Sequence, residues 1–185
     1  MSHRIVILTI LALLLLGLSA KAQNRLVSSA GAIEFTSDAP LELKEANSTQ
    51  LNGIIDTESR QFAFSIRTIT FEGFNSSLQR DHFNENYMET EMYPESTFAG
   101  KIIEEVDFTK DGNYQVRTKG TLLIHGVEQS RIIKSKINIK NGEIKVTSSF
   151  SVPLEDHVIS IPKVVNKKIA TEIVVTVSAT FQNKP

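Results

Sequence analysis

Polar and apolar residues alternate along much of this chain. In RQFAFSIRT, residues 60–68, Phe62, Phe64 and Ile66 fall on one side, and Ala63, Ser65 and Arg67 on the other. Ile137 and Ile139 alternate with polar residues in KINIK. Ile144, Val146, Phe150 and Val152 share a side in EIKVTSSFSV. Ile173, Val175, Val177, Ala179 and Phe181 do so in EIVVTVSATF. A period of two predicts strands with one buried face, and the β-branched and aromatic content agrees. Asp111-Gly112 and Asn141-Gly142 separate strand-like runs and predict tight hairpins. Asn52-Gly53 is a weaker turn signal inside a run that can continue as a strand.

The alternation stops between Asn75 and Tyr93. Ser76 or Ser77 can cap a helix there, Leu78, His82 and Phe83 recur at helical spacing, and Pro94 ends the segment. One or two short helical turns are expected, with Leu78 and Phe83 facing the sheet and Arg80, Asp81 and Glu85 facing water. A further turn is expected at Pro162–Lys168. A long antiparallel meander with one apolar face closes as a sandwich or as a barrel, and about eight strands suffice for a barrel.

Composition adds two constraints. Residues 5–20 form the apolar run IVILTILALLLLGLSA, preceded by Arg4 and followed by Ala20-Lys21-Ala22. The pattern predicts a signal peptide over residues 1–22 and a mature domain over 23–185. The chain has no cysteine, so it has neither disulfides nor a lipid-attachment thiol. The mature part keeps 18 basic side chains against 21 acidic ones, a formal charge of −3. That balance offers no basic footprint for nucleic acid. No integral membrane segment is expected in the mature chain.

The densest chemistry is QRDHFNEN, residues 79–86. As a metal site it would offer Asp81, His82 and Glu85, with Glu89 just beyond as a fourth candidate. Zinc asks for three or four convergent ligands, and the sequence gives no reason for His82, His125 and His157 to meet. No metal, cofactor or catalytic residue is therefore assigned. The segment reads as a lid or plug at one end of the barrel. His125 and His157 read as hydrogen-bonding residues of turns.

Three stretches resemble a known family. They are FNSSLQRDHFNENYMETEMYPESTFAGKI at Phe74–Ile102, GTLLIHGV at Gly120–Val127 and FSVPLEDHVISIP at Phe150–Pro162. In order and spacing they resemble the YceI-like, or polyisoprenoid-binding, family. Its pattern often has an aromatic residue and a glycine where this chain has His157 and Val158. It also often has a His-Ser pair in the first strand, absent from SAGAIEF. The resemblance implies an all-β, lipocalin-like extended antiparallel barrel of about eight strands with a short helical insert.

It also implies an apolar interior that holds a polyisoprenoid or another long-chain lipid. Alternation alone favours a filled barrel, since most small barrels and sandwiches are filled. With the resemblance, the expected cavity lining is Phe62, Phe64, Ile66, Leu122, Ile124, Phe150 and Val152. Phe71 and Phe98 are added, with Phe74, Leu78 and Phe83 from the insert. The expected partner is an isoprenoid or fatty-acyl lipid, in a periplasmic or secreted protein. The alternatives are a filled barrel serving as a structural or interaction module, or an enzyme using the His82 region. Oligomeric state is left open, a dimer included.

Overall fold

The structure, a computed structural model, describes residues 24–182. The leader read over residues 1–22 lies outside them. Nine strands form the frame: β1 Arg25–Ala39, β2 Glu42–Ser48, β3 Asn52–Asp56, β4 Gln61–Arg67, β5 Glu95–Ile102, β6 Gly112–Ile124, β7 Val127–Lys140, β8 Glu143–Pro153 and β9 Glu172–Gln182. Neighbours from β3 to β9 pair antiparallel in sequence order, and β1 joins β9 to β3. The sheet therefore closes into an eight-stranded antiparallel barrel, and β2 extends it at one end by pairing with β1.

β2 and β3 behave as one interrupted strand. Ile33 opposite Ser48 and Arg25 opposite Asp56 lie on a single register. The break falls at residues 49–51, opposite Gly31, where a Cβ would collide with the Leu51 carbonyl oxygen. Glycine permits that close passage of two backbones. Across the barrel seam, β1 carries a bulge between Ser28 and Ala30. One extra residue exchanges the inward and outward faces. Leu26 points to the core before the bulge, and the odd-numbered Ile33, Phe35 and Ser37 face the interior after it.

The two expected hairpins fare differently. Asn141 and Gly142 have φ of 50° and 78° and join β7 to β8 in two residues. His125 and Gly126, with φ of 52° and 71°, do the same between β6 and β7. Both fit the twist that two-residue hairpins require. Asp111-Gly112 is not such a turn. β5 ends at Ile102, and the nine residues 103–111 form a loop before β6 opens at Gly112. Asp107 organises this loop. Its Oδ1 accepts hydrogen bonds from the Thr109 hydroxyl at 2.5 Å and the Thr109 amide at 3.0 Å, and Lys110 lies 3.0 Å from Oδ2. These partners, Thr109 first, lower the Asp107 pKa to about 2.

The insert is helix α1, Ser77–His82, followed by a widened turn at Phe83–Tyr87. Ser76 is the cap, its hydroxyl accepting from the Gln79 amide at 3.2 Å. Met88 donates to the Phe83 carbonyl five residues back, at 2.9 Å. The turn expected at Pro162–Lys168 contains a short 3₁₀ segment, Lys163–Val165.

Candidate functional site

The inward faces of the strands split the barrel into two halves. One end is solid. Leu26, Ile55, Ile102, Val116, Ile137, Ile139, Ile144 and Phe181 are all buried there in one cluster. The other half is hollow, with a cavity of about 390 Å³. It lies under the insert on one side and the loop after β8 on the other. Two sequence features open it. On β6, β7 and β8 the inward positions at mid-height are Thr118, Ser135 and Ser148, too small to fill the barrel. Backbone carbonyls absorb two of their hydroxyls: Thr118 donates to Ile133 at 3.0 Å and Ser148 to Lys134 at 2.8 Å. These walls therefore present little unsatisfied polarity.

Facing them is an aromatic floor. The rings of Phe62 and Phe98 lie 5.0 Å apart, Phe62 and Phe64 6.0 Å, and Phe64 and Phe181 6.1 Å. A second aromatic group closes the insert side. Phe35 stacks on Phe83 at 5.3 Å, and Phe71 and Phe74 sit against the same pair. Tilted and offset rings at these separations attract one another beyond their simple area burial.

Eleven of the twelve residues expected to line the interior do line this cavity: Phe62, Phe64, Ile66, Phe71, Phe74, Phe83, Phe98, Leu122, Ile124, Phe150 and Val152. Leu78 does not. It is 60 % exposed and lies on the outer side of α1. The reason is helical geometry. Five residues separate it from Phe83, which places the two about 140° apart around a 3.6-residue helix. Gln79, four before Phe83, takes the inward place, with His82 beside it. The widened turn then brings Tyr87 and Met88 to the cavity as well.

Several lining residues lay outside the expected set. Ile33 and Phe35 were hidden by the β1 bulge. Leu51 sits at the break between β2 and β3. Ile173, Val175 and Val177 line the wall too, and the alternation of β9 had already placed them on one face.

Polar side chains line the cavity beside the insert and the loop after β8: Glu42, Lys44, Gln79, His82, Tyr87 and Lys168. Lys44 lies 2.6 Å from Glu42 Oε2, and Gln79 Nε2 donates to Oε1 at 2.6 Å. The hydrogen bond from Lys44, and then its charge and the Gln79 bond, hold the Glu42 carboxyl below its ordinary range against the opposing effect of burial. Because a carboxylate only accepts, it fixes the Gln79 amide with its nitrogen toward Glu42. The Gln79 oxygen is left buried without a partner. Burial pushes the Tyr87 hydroxyl pKa up.

The insert is fastened to the barrel by His125. Its Nε2 lies 2.7 Å from Glu89 Oε2, its Nδ1 3.1 Å from the His157 carbonyl oxygen, and its ring packs edge-on against Tyr93 at 4.6 Å. His125 and His157 thus meet, although nothing in their spacing along the chain brings them together. They meet through a ring and a carbonyl. Among the described residues, no three side chains of histidine, aspartate or glutamate converge as a metal site would require. His157 is fully buried. Its Nδ1 faces the Val127 carbonyl at 3.1 Å, while Nε2 has no partner. Burial lowers its pKa.

This half-hollow barrel has known relatives. The family model of the YceI-like domain matches residues 17–181. A polyisoprenoid binding domain from Saccharophagus degradans, implicated in plant cell wall breakdown, superposes with a TM-score of 0.73 at 16 % identity, over 88 % of this chain and 100 % of that one. Burkholderia cenocepacia BcnA gives 0.68 at 11 % identity, over 81 % and 95 %. The Campylobacter jejuni YceI protein gives 0.60 at 16 % identity, over 76 % and 85 %. Curated proteins yield no match. Identities this low speak for a shared fold. The family match spans the barrel, the insert and the loop after β8, and the chain belongs to the YceI-like family.

Proposed function

We propose that this chain is an exported lipid-binding protein that holds the tail of a polyisoprenoid or another long-chain lipid inside its barrel. The observation that carries the reading is the hollow half. Its wall is almost wholly apolar, its far end is plugged, and its charged side chains, Glu42, Lys44 and Lys168, stand beside the insert and the loop after β8. Burying a tail there yields about 25 cal/mol per Å² of apolar surface, so few polar contacts are needed.

The head group would stay at the opening beside Lys44, Gln79, Tyr87 and Lys168. The unpartnered Gln79 oxygen can accept a hydrogen bond from a head-group hydroxyl. The apolar leader of residues 5–20 and the small-residue site at Ala20–Ala22 support export. The resemblance of the S. degradans domain, described as polyisoprenoid binding, supports the choice of ligand. Binding rather than catalysis is favoured because the candidate groups of QRDHFNEN diverge. Gln79 and His82 border the cavity, while Arg80, Asp81 and Glu85 are exposed.

Native mass spectrometry of protein recovered from the exported fraction tests the proposal. The expected spectrum shows a chain beginning at Gln23 with a non-covalent lipid that organic extraction removes. A chain that retains residues 1–22 there refutes export by cleavage. A protein that carries no lipid and takes up no prenyl or fatty-acyl probe refutes binding.

A further inference from the structure

The cavity has a measurable bottom. Along β8 the lining runs from Val146 to Val152, six residues apart. At about 3.3 Å per residue that is roughly 20 Å of strand. With the 35–45° tilt usual in barrels, the depth along the axis is about 15 Å. An extended chain advances about 1.2 Å per backbone bond, so this depth takes about twelve carbons.

The floor sets the limit. Phe62, Phe64 and Phe98 project from the adjacent strands β4 and β5 as one group of rings, packed on the buried cluster of Ile55, Val116, Ile137 and Phe181. Phe64 is seated by Gly53 on the neighbouring strand. A Cβ on Gly53 would lie 2.6 Å from the Phe64 ring and 3.0 Å from Phe181. The missing side chain leaves room for the Phe64 ring to pack against Phe181, 6.1 Å away.

Resting on the lipid-binding reading above, we propose that the barrel is a chain-length gauge. It takes in a single tail of about twelve to fourteen carbons along its length, the reach of a medium fatty acyl or of the backbone of a three-unit prenyl chain, with Phe62, Phe64 and Phe98 as the stop. Carbons beyond that number lie outside the chamber. They add no further apolar burial there, so they add little affinity.

Calorimetric titration of the mature protein with saturated fatty acids of about 8 to about 20 carbons tests it, alongside prenyl alcohols of two, three and four isoprene units. Affinity should rise up to about fourfold per methylene and then level off near twelve to fourteen carbons. Phe64→Ala and Phe98→Ala should move that plateau to longer chains. Phe64→Leu is a milder version should the first not fold. Gly53→Ala pushes the Phe64 ring upward and should move the plateau to shorter chains. Affinity that keeps climbing through the longest wild-type probes overturns the gauge and leaves lipid binding standing. So does a plateau that stays in place in every folded variant. Failure of every probe to bind wild type overturns the lipid-binding reading, and the gauge falls with it.

Discussion

Glu89 and His125 meet at 2.7 Å, carboxylate oxygen to ring nitrogen, across the join between the helical insert and the β6–β7 hairpin. The other ring nitrogen of His125 reaches the His157 carbonyl, so one side chain ties the insert to the loop after β8. His125 thus links both structures that roof the cavity.

Removing the tie should loosen the roof before it unfolds the barrel. Glu89 is partly exposed, so Glu89→Gln should cost no more than about 1 kcal/mol. His125→Ala also loses the bond to His157 and the contact with Tyr93, and should cost about 2 kcal/mol. Hydrogen exchange should quicken across residues 77–93 in His125→Ala and stay unchanged in β7 and β8. Uniform acceleration over the whole barrel would mean that the tie supports the fold rather than the roof.

His157 predicts a loss of stability in acid. Burial holds its pKa below the usual 6.5. As pH falls through that usual value, the unfolded chain takes up a proton that the folded chain resists. The stability from this site is therefore complete above about pH 6.5 and declines as pH falls below it. His157→Gln keeps a donor for the Val127 carbonyl and does not titrate. Urea unfolding near pH 7.5 and near pH 5 should show a larger loss in wild type than in the variant. Equal losses would assign the acid sensitivity to other groups.

The plug and the chamber should answer truncation differently. Phe181 is fully buried in the plug, and Phe181→Ala should cost about 3–5 kcal/mol. Phe150 lies against open space, and Phe150→Ala should cost under about 2 kcal/mol while weakening lipid affinity. Denaturant midpoints read the first quantity and probe titration the second. Comparable stability losses would show the upper half to be packed as tightly as the lower.

The insert offers a contrast between its outer and inner faces. Leu78→Ser should change stability by less than about 0.5 kcal/mol and leave tail binding intact. Phe83→Ala, one turn further along and inward, should weaken binding clearly. If Leu78→Ser weakens it equally, the helix sits with a different face toward the cavity.

Most of the wall was legible because period two is hard to disguise. β4, β8 and β9 carry Phe, Ile and Val at every second position for most of their length, and the structure turns those positions inward. The bulge in β1 is different. It shifts parity through contacts with β9, about 150 residues away, so nothing local to SSAGAIEF marks it. Leu78 misleads because an exposed leucine beside a serine cap looks like the start of an apolar stripe. Asp111-Gly112 carries hairpin chemistry, and Asp107 builds a different loop ahead of it. The hollow itself was hardest to read. Thr118, Ser135 and Ser148 face inward, yet serine and threonine at alternate positions look the same when they face water.

The seam has a consequence for the order in which this molecule can be assembled. Residues 28–36 of the first strand pair with 174–181 of the last, so the two ends of the barrel chain hold its circumference shut. Every other neighbour along the meander can zip locally through a turn or a loop. This pair waits until the final strand has been made and has come back across the whole sequence. Contacts so distant in the chain make closure the slow event. Until then the sheet is open, with two long unpaired margins that invite pairing with another copy. A chain cut short before Glu172 would therefore lose more than one wall of its chamber: it would keep a permanently open sheet and a marked tendency to aggregate.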